Sequence, residues 1–459
     1  MLAVLVYGCA STSATPAFRD TAALVQARTG RQVVWNQASA DDDAVAARVR
    51  ELVSRELTVE GALQIALVNN KALQATYENL TIAQADLVQA GLLQNPVFSA
   101  GVAFPVAGSA QTGFGLSVSQ DFLSVFLLAA RKKVAAAQLR ATERRVGDAI
   151  LRTANEVEVA FYTVAAAQQI ASMRRTILEM GDAGLDLAQR QHRAGNISDL
   201  DLANEQGLYE QVRTDLARSD AEVVAAREVL TRLLGLWGPD AAFRIVEKLP
   251  ELPAGDPPLD HLESWALSRR LDLGAAHEEA QAVSYALATA KNYRWLGATS
   301  VGAGVDRAPE GFTVAGPNVG VELPLFDQKR AAIARLEGQL RAALARETAL
   351  AVGVRSEVRA ARSRVVSTRL LVERYAQVVV PLRQRIVGLT LERYDSMLVG
   401  TYQLLQAKQS ELTAHRELIE ALRDYWLARA DLEQATGGAL PVTLPRSDPN
   451  HPPTAGAAP

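Results

Sequence analysis

The stretch Gly316-Pro317-Asn318-Val319-Gly320-Val321-Glu322-Leu323-Pro324-Leu325-Phe326-Asp327 alternates and then stops. Val319, Val321 and Leu323 fall on one face of an extended chain, and Asn318, Gly320 and Glu322 on the other. Pro324 has no N–H to give a ladder, so the strand ends there or leaves its sheet. Asp327 is a residue type that caps helices. Beyond it the apolar period becomes helical for roughly sixty residues, about 90 Å at 1.5 Å per residue. A strand feeding so long a helix is foreign to compact domains, whose helices average three to four turns.

The arrangement occurs twice. In Gly113 to Phe122, Phe114, Leu116 and Val118 alternate with Gly115, Ser117 and Ser119, and a helical stretch follows from about Leu127 to His192. Each strand has an upstream partner, Val97 to Phe104 in the first half and Ala298 to Val305 in the second. The chain reads as helix, strand, strand, long helix, helix, and then the same again. This is a tandem duplication offset by roughly 200 residues, far longer than a solenoid repeat.

Composition agrees with long, closely packed helices. Hydrophobic residues make up 49% of the 459, yet aromatics only 5%, and alanine carries much of the apolar share. The net charge of -3 gives no reason to expect a nucleic-acid partner, and the Arg and Glu runs read as solvated helix faces. A single cysteine, Cys9, allows no internal disulfide. No stretch reaches the roughly 18 continuous apolar residues of a membrane helix, so a membrane location requires a barrel or an anchor.

Taken in order, Met1 to Ala10 resembles a bacterial lipobox, with Cys9 as the residue to be lipidated; the resemblance lacks a basic residue before the apolar run. Residues 1–9 are then a signal remnant and 10–56 an irregular, extended segment. Residues 57–238 form the first repeat. It opens with a helix over Leu57 to Leu93, where Ala62, Ile65, Ala66, Leu73, Tyr77, Leu80, Ala83, Leu87 and Ala90 recur at three and four. Gly195-Asn196-Ile197-Ser198 breaks the first long helix, and Ser198 caps the next, which ends at Gly235. Residues 239–258 are a Pro- and Gly-rich linker with a small extended element at Phe243 to Val246. Residues 259–438 form the second repeat, opening with a helix from about Leu259 to Tyr293. Its long helix carries Ile333, Leu336, Leu340, Val354, Val358, Val365 and Val372 near heptad spacing, and Pro381 is expected to kink it. Tyr394 to Gly400 is the second turn, and residues 439–459 are a Pro-rich disordered tail.

These features resemble the TolC-like outer-membrane factor family over roughly residues 55 to 438. The residues that carry the resemblance are Glu60-Gly61-Ala62-Leu63 with Ala66, Asn69 and Asn70; Ala90 to Pro96; Gly195 to Ser198 with Leu200, Asp201 and Leu202; Gly316-Pro317 with Leu323 to Asp327; and Tyr394 with Leu404, Leu405 and Ala407. Each is weak alone, and their order, spacing and duplication are specific. The resemblance implies a mainly α fold with a small β part. Three chains join in a homotrimer, with a 12-stranded outer-membrane β-barrel on a long periplasmic α-helical barrel. The arithmetic agrees, since four strands are too few to close a transmembrane barrel. Leu116, Val118, Val319, Val321 and Leu323 are the lipid-facing candidates, and Trp295 sits where an interfacial aromatic would.

By the same resemblance, the chain is the outer-membrane exit duct of a tripartite efflux system in a Gram-negative bacterium. Its partners are a periplasmic adaptor, an inner-membrane pump of the resistance-nodulation-division type and outer-membrane lipid. The implied tips are the helix turns at Gly195, Ser198, Gly400 and Thr401. The implied periplasmic gate is Asp201 and Tyr394, with Gln403 and Gln406 where relatives carry further carboxylates. The runs after Gly195 and Met397 are similar to those of heavy-metal or copper efflux members; a small-organic exporter is the other substrate reading. No catalytic, cofactor or metal residue is expected. His192, His261, His277, His415 and His451 are scattered, and no Gly-rich phosphate loop is present. The alternative is a periplasmic coiled-coil scaffold or adaptor without a channel. An adaptor would need a β-rich region beside one hairpin, and a scaffold would not need two matching strand pairs.

Overall fold

The computed structural model of the protein describes residues 12–37, 40–104, 112–256, 260–308 and 311–440. Cys9 and the tail beyond 440 lie outside them. The elements run α1 (Thr15–Thr29), α2 (Ala40–Val53), β1 (Glu56–Leu57), α3 (Val59–Asn69), α4 (Lys71–Ala90), β2 (Val97–Ala103), β3 (Gly113–Asp121), α5 (Leu123–Arg193) and α6 (Asp199–Leu234). They continue β4 (Arg244–Ile245), α7 (Leu262–Arg269), α8 (Leu271–Asn292), β5 (Thr299–Arg307), β6 (Thr313–Val321), α9 (Arg330–Arg374), α10 (Val380–Asp395) and α11 (Thr401–Ala435). The described residues gather into two compact units, and each takes equivalent pieces of both repeats.

The first unit is built from Ala75–Asp148 and Leu271–Val352, with the chain up to Leu24. It holds an antiparallel four-stranded sheet in the order β2-β3-β5-β6. Its helices are tied by Glu278, which is buried and accepts from Arg140 Nε at 2.9 Å and Arg144 Nη2 at 3.0 Å. Burial, with help from Asp20, raises the neighbouring Glu143 carboxyl to about 7 against the pull of those arginines.

The second unit comprises Val25–Gln74, Ala149–Arg270 and the chain from Gly353. Its core packs Leu63, Ile65 and Ala66 of α3 with Val157, Phe161 and Val164 of α5 and Leu230 and Leu234 of α6. The linker contributes Phe243 and Ile245, because β4 pairs in parallel with β1, Leu57 opposite Ile245. That short ladder is the extended element expected at 243–246.

Several expectations are corrected. The helix expected over Leu57 to Leu93 is two helices, broken at Asn70, whose ψ of 112° leaves the helical region. Asn70 Oδ1 accepts from Leu73 N at 3.0 Å and starts α4. Asn70 Nδ2 donates to Leu233 O at 2.8 Å, and Asn69 Nδ2 donates to Leu234 O and Gly235 O at 3.0 and 2.8 Å. The two asparagines thus satisfy the last carbonyls of α6, which no intrahelical donor reaches. The second repeat breaks at the equivalent Arg270, whose ψ is 121°, so the helix expected from Leu259 is also two.

The segment 10–56, expected to be extended, contains α1 and α2. Ala17, Thr21 and Val25 recur every four residues and are buried, and Phe18 meets the Tyr77 ring edge-on at 5.2 Å. Thr21 hides its hydroxyl by donating to Ala17 O at 2.9 Å. Helix α9 starts at Arg330 rather than at Asp327. Asp327 Oδ1 accepts from Lys329 N at 2.8 Å, and Lys329 is left-handed, with φ 57°. Pro381 is absorbed by a π turn at Tyr375–Val379, where Val380 N donates to Tyr375 O; this widens the turn just before the ring that cannot donate.

Candidate functional site

The four-stranded sheet has two chemically different faces. Directly opposed residues share a face, and the register pairs Phe98 with Val118, Ala100 with Leu116 and Val102 with Phe114. It continues Leu116 with Val305 and Val118 with Ala303, then Val301 with Val319 and Thr299 with Val321. One face is therefore mainly apolar across all four strands, with Gln120, Thr299, Arg307 and Thr313 at its two ends. The other carries Ser99, Gly101, Gly115, Ser117, Ser119, Gly302, Gly304, Asn318 and Gly320, which are small or polar, with Val97 and Val314 among them. Gly302 has to be glycine there, since a Cβ would lie 2.5 Å from Val118 O, whereas Gly101 and Gly316 have open space beside them.

Leu116, Val118, Val319 and Val321 lie together on the apolar face and are 43 to 66% exposed. Leu323, also exposed, falls outside: β6 ends at Val321, and Glu322 N makes the last cross-strand bond, to Ala298 O at 2.8 Å. The reason is local, since Leu325 N turns back onto Leu323 O at 2.8 Å around Pro324. The outer edges of β2 and β6 have no partner strand among the described residues. An apolar face with two open edges cannot rest in water as it stands.

The two helix turns are matched in backbone and differ in capping. In the first, Gly195 is left-handed (φ 75°), with Gly195 N bonded to His192 O and Asn196 N to Gln191 O, both at 2.9 Å. In the second, Met397 takes that role (φ 58°), with Met397 N on Tyr394 O and Leu398 N on Arg393 O, both at 2.8 Å. Ser198 and Asp201 form a capping box: Asp201 N donates to Ser198 Oγ at 3.2 Å, and Asp201 Oδ2 accepts from Ser198 N at 3.1 Å and Ser198 Oγ at 2.7 Å. Those bonds hold the exposed Asp201 carboxyl below its ordinary value. Gly400 caps α11 with no side chain, so Thr401 opens that helix without such a box. Tyr394 is half-buried at the end of α10, and Gln403 and Gln406 are exposed on α11. His192 Nε2 lies 2.6 Å from Asp199 Oδ1 across the first turn.

Sequence reasoning missed a half-buried ionic cluster in the second unit. Arg31 reaches Glu158 at 2.9 Å and Glu60 at 3.4 Å, and Arg429 lies 3.6 Å from Glu433. Burial raises the Glu158 carboxyl to about 7 despite Arg31, and raises Glu433 as well. A charged residue in the N-terminal segment was the only available signal, and its partner lies 127 residues away. Among the described residues no group of three or more His, Cys, Asp or Glu is placed to hold a metal ion, and no helix is long and apolar enough to cross a membrane.

Residues 62–236 match the family described as outer membrane efflux protein. No curated protein matches the chain. Among solved structures, a membrane protein from Pseudomonas aeruginosa is similar at 20% identity and a TM-score of 0.70, covering 85% of this chain and 92% of that one. The CmeC outer membrane channel of Campylobacter jejuni is similar at 16% identity and a TM-score of 0.73, over 84% and 87%. The open state of the Neisseria gonorrhoeae MtrE outer membrane channel gives 17% and 0.64, over 86% and 90%. At these identities the likeness is one of fold.

Proposed function

We propose that this chain, an outer membrane efflux protein over residues 62–236, is the exit duct of a tripartite efflux system. The observation that carries the reading is the four-stranded sheet with one apolar face, one small and polar face, and two open edges. Three copies joined edge to edge supply twelve strands, enough to close a barrel with lipid outside and water inside. The duct stands in the outer membrane of a Gram-negative cell and extends into the periplasm, where an adaptor and an inner-membrane pump deliver cargo. It transports without chemistry. Heavy-metal ions are the proposed cargo class, on the similarity of the runs after Gly195 and Met397 to metal-efflux members. Cys9 is proposed as a lipid anchor.

The turns at Gly195–Ser198 and Gly400–Thr401 are the proposed periplasmic tips. Each trimer then carries three Asp201 carboxylates, which the Ser198 bonds keep ionised, and three Tyr394 side chains as the closed gate. Gln403 and Gln406 add no charge to that ring. The test is solution mass in mild detergent followed by conductance in a planar bilayer. A trimer with small conductance that rises in Asp201→Ala or Tyr394→Ala supports duct and gate. Conductance indifferent to both changes removes the gate and keeps the duct. A monomer that extracts without detergent and never conducts removes the duct.

A further inference from the structure

The junction between sheet and helices carries a second pattern, one of unpaired cations beside exposed aromatics. Phe122 N donates to Thr299 O at 2.7 Å, one step beyond the Asp121–Ser300 pair, so Phe122 continues the face of Phe114, Leu116 and Val118. Phe126 packs edge-on against Phe122, centroids 5.5 Å apart, and both rings are exposed. Lys133 follows Phe126 by seven residues on α5. That places it within about 20° of Phe126 around the helix and about 10 Å further along it. At the same end of the sheet, five residues before β5, the Arg294 guanidinium stacks 4.5 Å above the exposed Trp295 ring.

The charges of this region are not balanced. Its carboxylates Asp121, Glu322 and Asp327 accept from the backbone amides of Leu123, Ala298 and Lys329 and stay charged, and the cations Arg131, Lys132, Lys133, Arg294, Lys329 and Arg330 outnumber them. Lys133 and Arg294 are exposed and make no ion pair among the described residues. An apolar face that ends in aromatics and then, two helical turns on, in a free ammonium follows the profile of a leaflet from acyl chain to phosphate.

We propose that Phe122, Phe126 and Lys133, with the stacked Arg294–Trp295 pair, form a collar that binds anionic phospholipid headgroups of the leaflet on the helix side of the sheet. The proposal rests on the duct reading, which puts the sheet in a bilayer. The rings set the depth, and the two cations select negative over zwitterionic headgroups.

The test uses the full chain in mild detergent, offered equal phosphatidylglycerol and phosphatidylcholine, with retained lipid counted by native mass spectrometry. The wild type is expected to retain phosphatidylglycerol preferentially. Lys133→Gln and Arg294→Gln should each lower the ratio by up to about fivefold, the effect of one basic residue at an anionic surface. Phe126→Ser should lower retention of both lipids alike. Equal retention by the wild type, or an unchanged ratio in the double Gln variant, overturns the collar even when mass and conductance show a working trimer. A wild type that is monomeric and non-conducting overturns the duct reading and the collar with it.

Discussion

Gly195→Ala and Gly235→Ala place the same methyl group on the same backbone conformation, φ 75° and 67°, in different surroundings. The left-handed conformation alone costs an alanine about 1–2 kcal/mol. At Gly195 an added Cβ meets nothing within 4 Å, so that is the whole cost. At Gly235 it would lie 2.7 Å from Asn69 O, a backbone atom that cannot swing aside. Moving either residue breaks the Asn69 Nδ2 bonds to Leu234 O and Gly235 O and loads the Asn70 bond to Leu233 O. At about 1 kcal/mol net for each bond, the cost at Gly235 is about 3–5 kcal/mol. The assay is amide hydrogen exchange in the detergent-solubilised full chain, read over the last turn of α6 and the first of α4. Gly235→Ala should speed exchange there by roughly a hundredfold or more, and Gly195→Ala by about tenfold at its own turn, at 1.36 kcal/mol per decade. Equal loss of protection at the two sites would refute the argument that the asparagine clamp decides this junction. Met397 already sits in that conformation, so Met397→Gly should slow exchange at the second turn by a few-fold.

A pH series tests the half-buried cluster. The folded Glu158 carboxyl is raised to about 7 by burial against an ordinary 4.5, so the folded state holds its proton more tightly. That stabilisation is full below pH 4.5 and is lost as pH rises through 7, a span of about 3 kcal/mol. Glu158→Gln should flatten the rise in unfolding midpoint between pH 8 and 5, and an undiminished slope would assign it elsewhere. Val118→Arg should cost about 2–4 kcal/mol at mid-bilayer depth and reduce trimer yield, whereas Ser117→Arg, on the opposite face, should leave yield intact and change conductance. A chain indifferent to which face takes the arginine would contradict the face assignment. Ser198→Ala should cost about 1 kcal/mol by losing the capping box, measured as faster exchange in the first turn of α6.

The strands, the long helices and their duplication were legible because each rests on a local period. A period-2 run such as Phe114 to Val118 fixes which side chains share a face before any partner strand is known. The turn at Gly195 was legible for a similar reason, since a glycine followed three residues later by Ser198 is a local stop and start. Its second copy was harder to see, because Met397 holds the left-handed position that a glycine would have announced. The site residues divide the same way. Leu116, Val118, Val319 and Val321 follow from alternation, while Leu323 carries the alternation past the end of the ladder.

What the sequence determined by itself, then, is the period of each strand and helix and most of the local caps and breakers, though not the start of α9 at Arg330 or the break at Asn70. The tertiary structure decided where distant segments satisfy one another's polar groups. Asn70 breaks its helix because the carbonyl of Leu233 lies within its reach. Helix α1 forms on a face of Ala17, Thr21 and Val25, too small and too polar to read as a stripe, because a neighbour is there to cover it. Glu158 and Arg31 meet over 127 residues, and the two compact units each draw on both repeats. Buried donors and acceptors must be paired, and a sequence does not say which distant group will do the pairing.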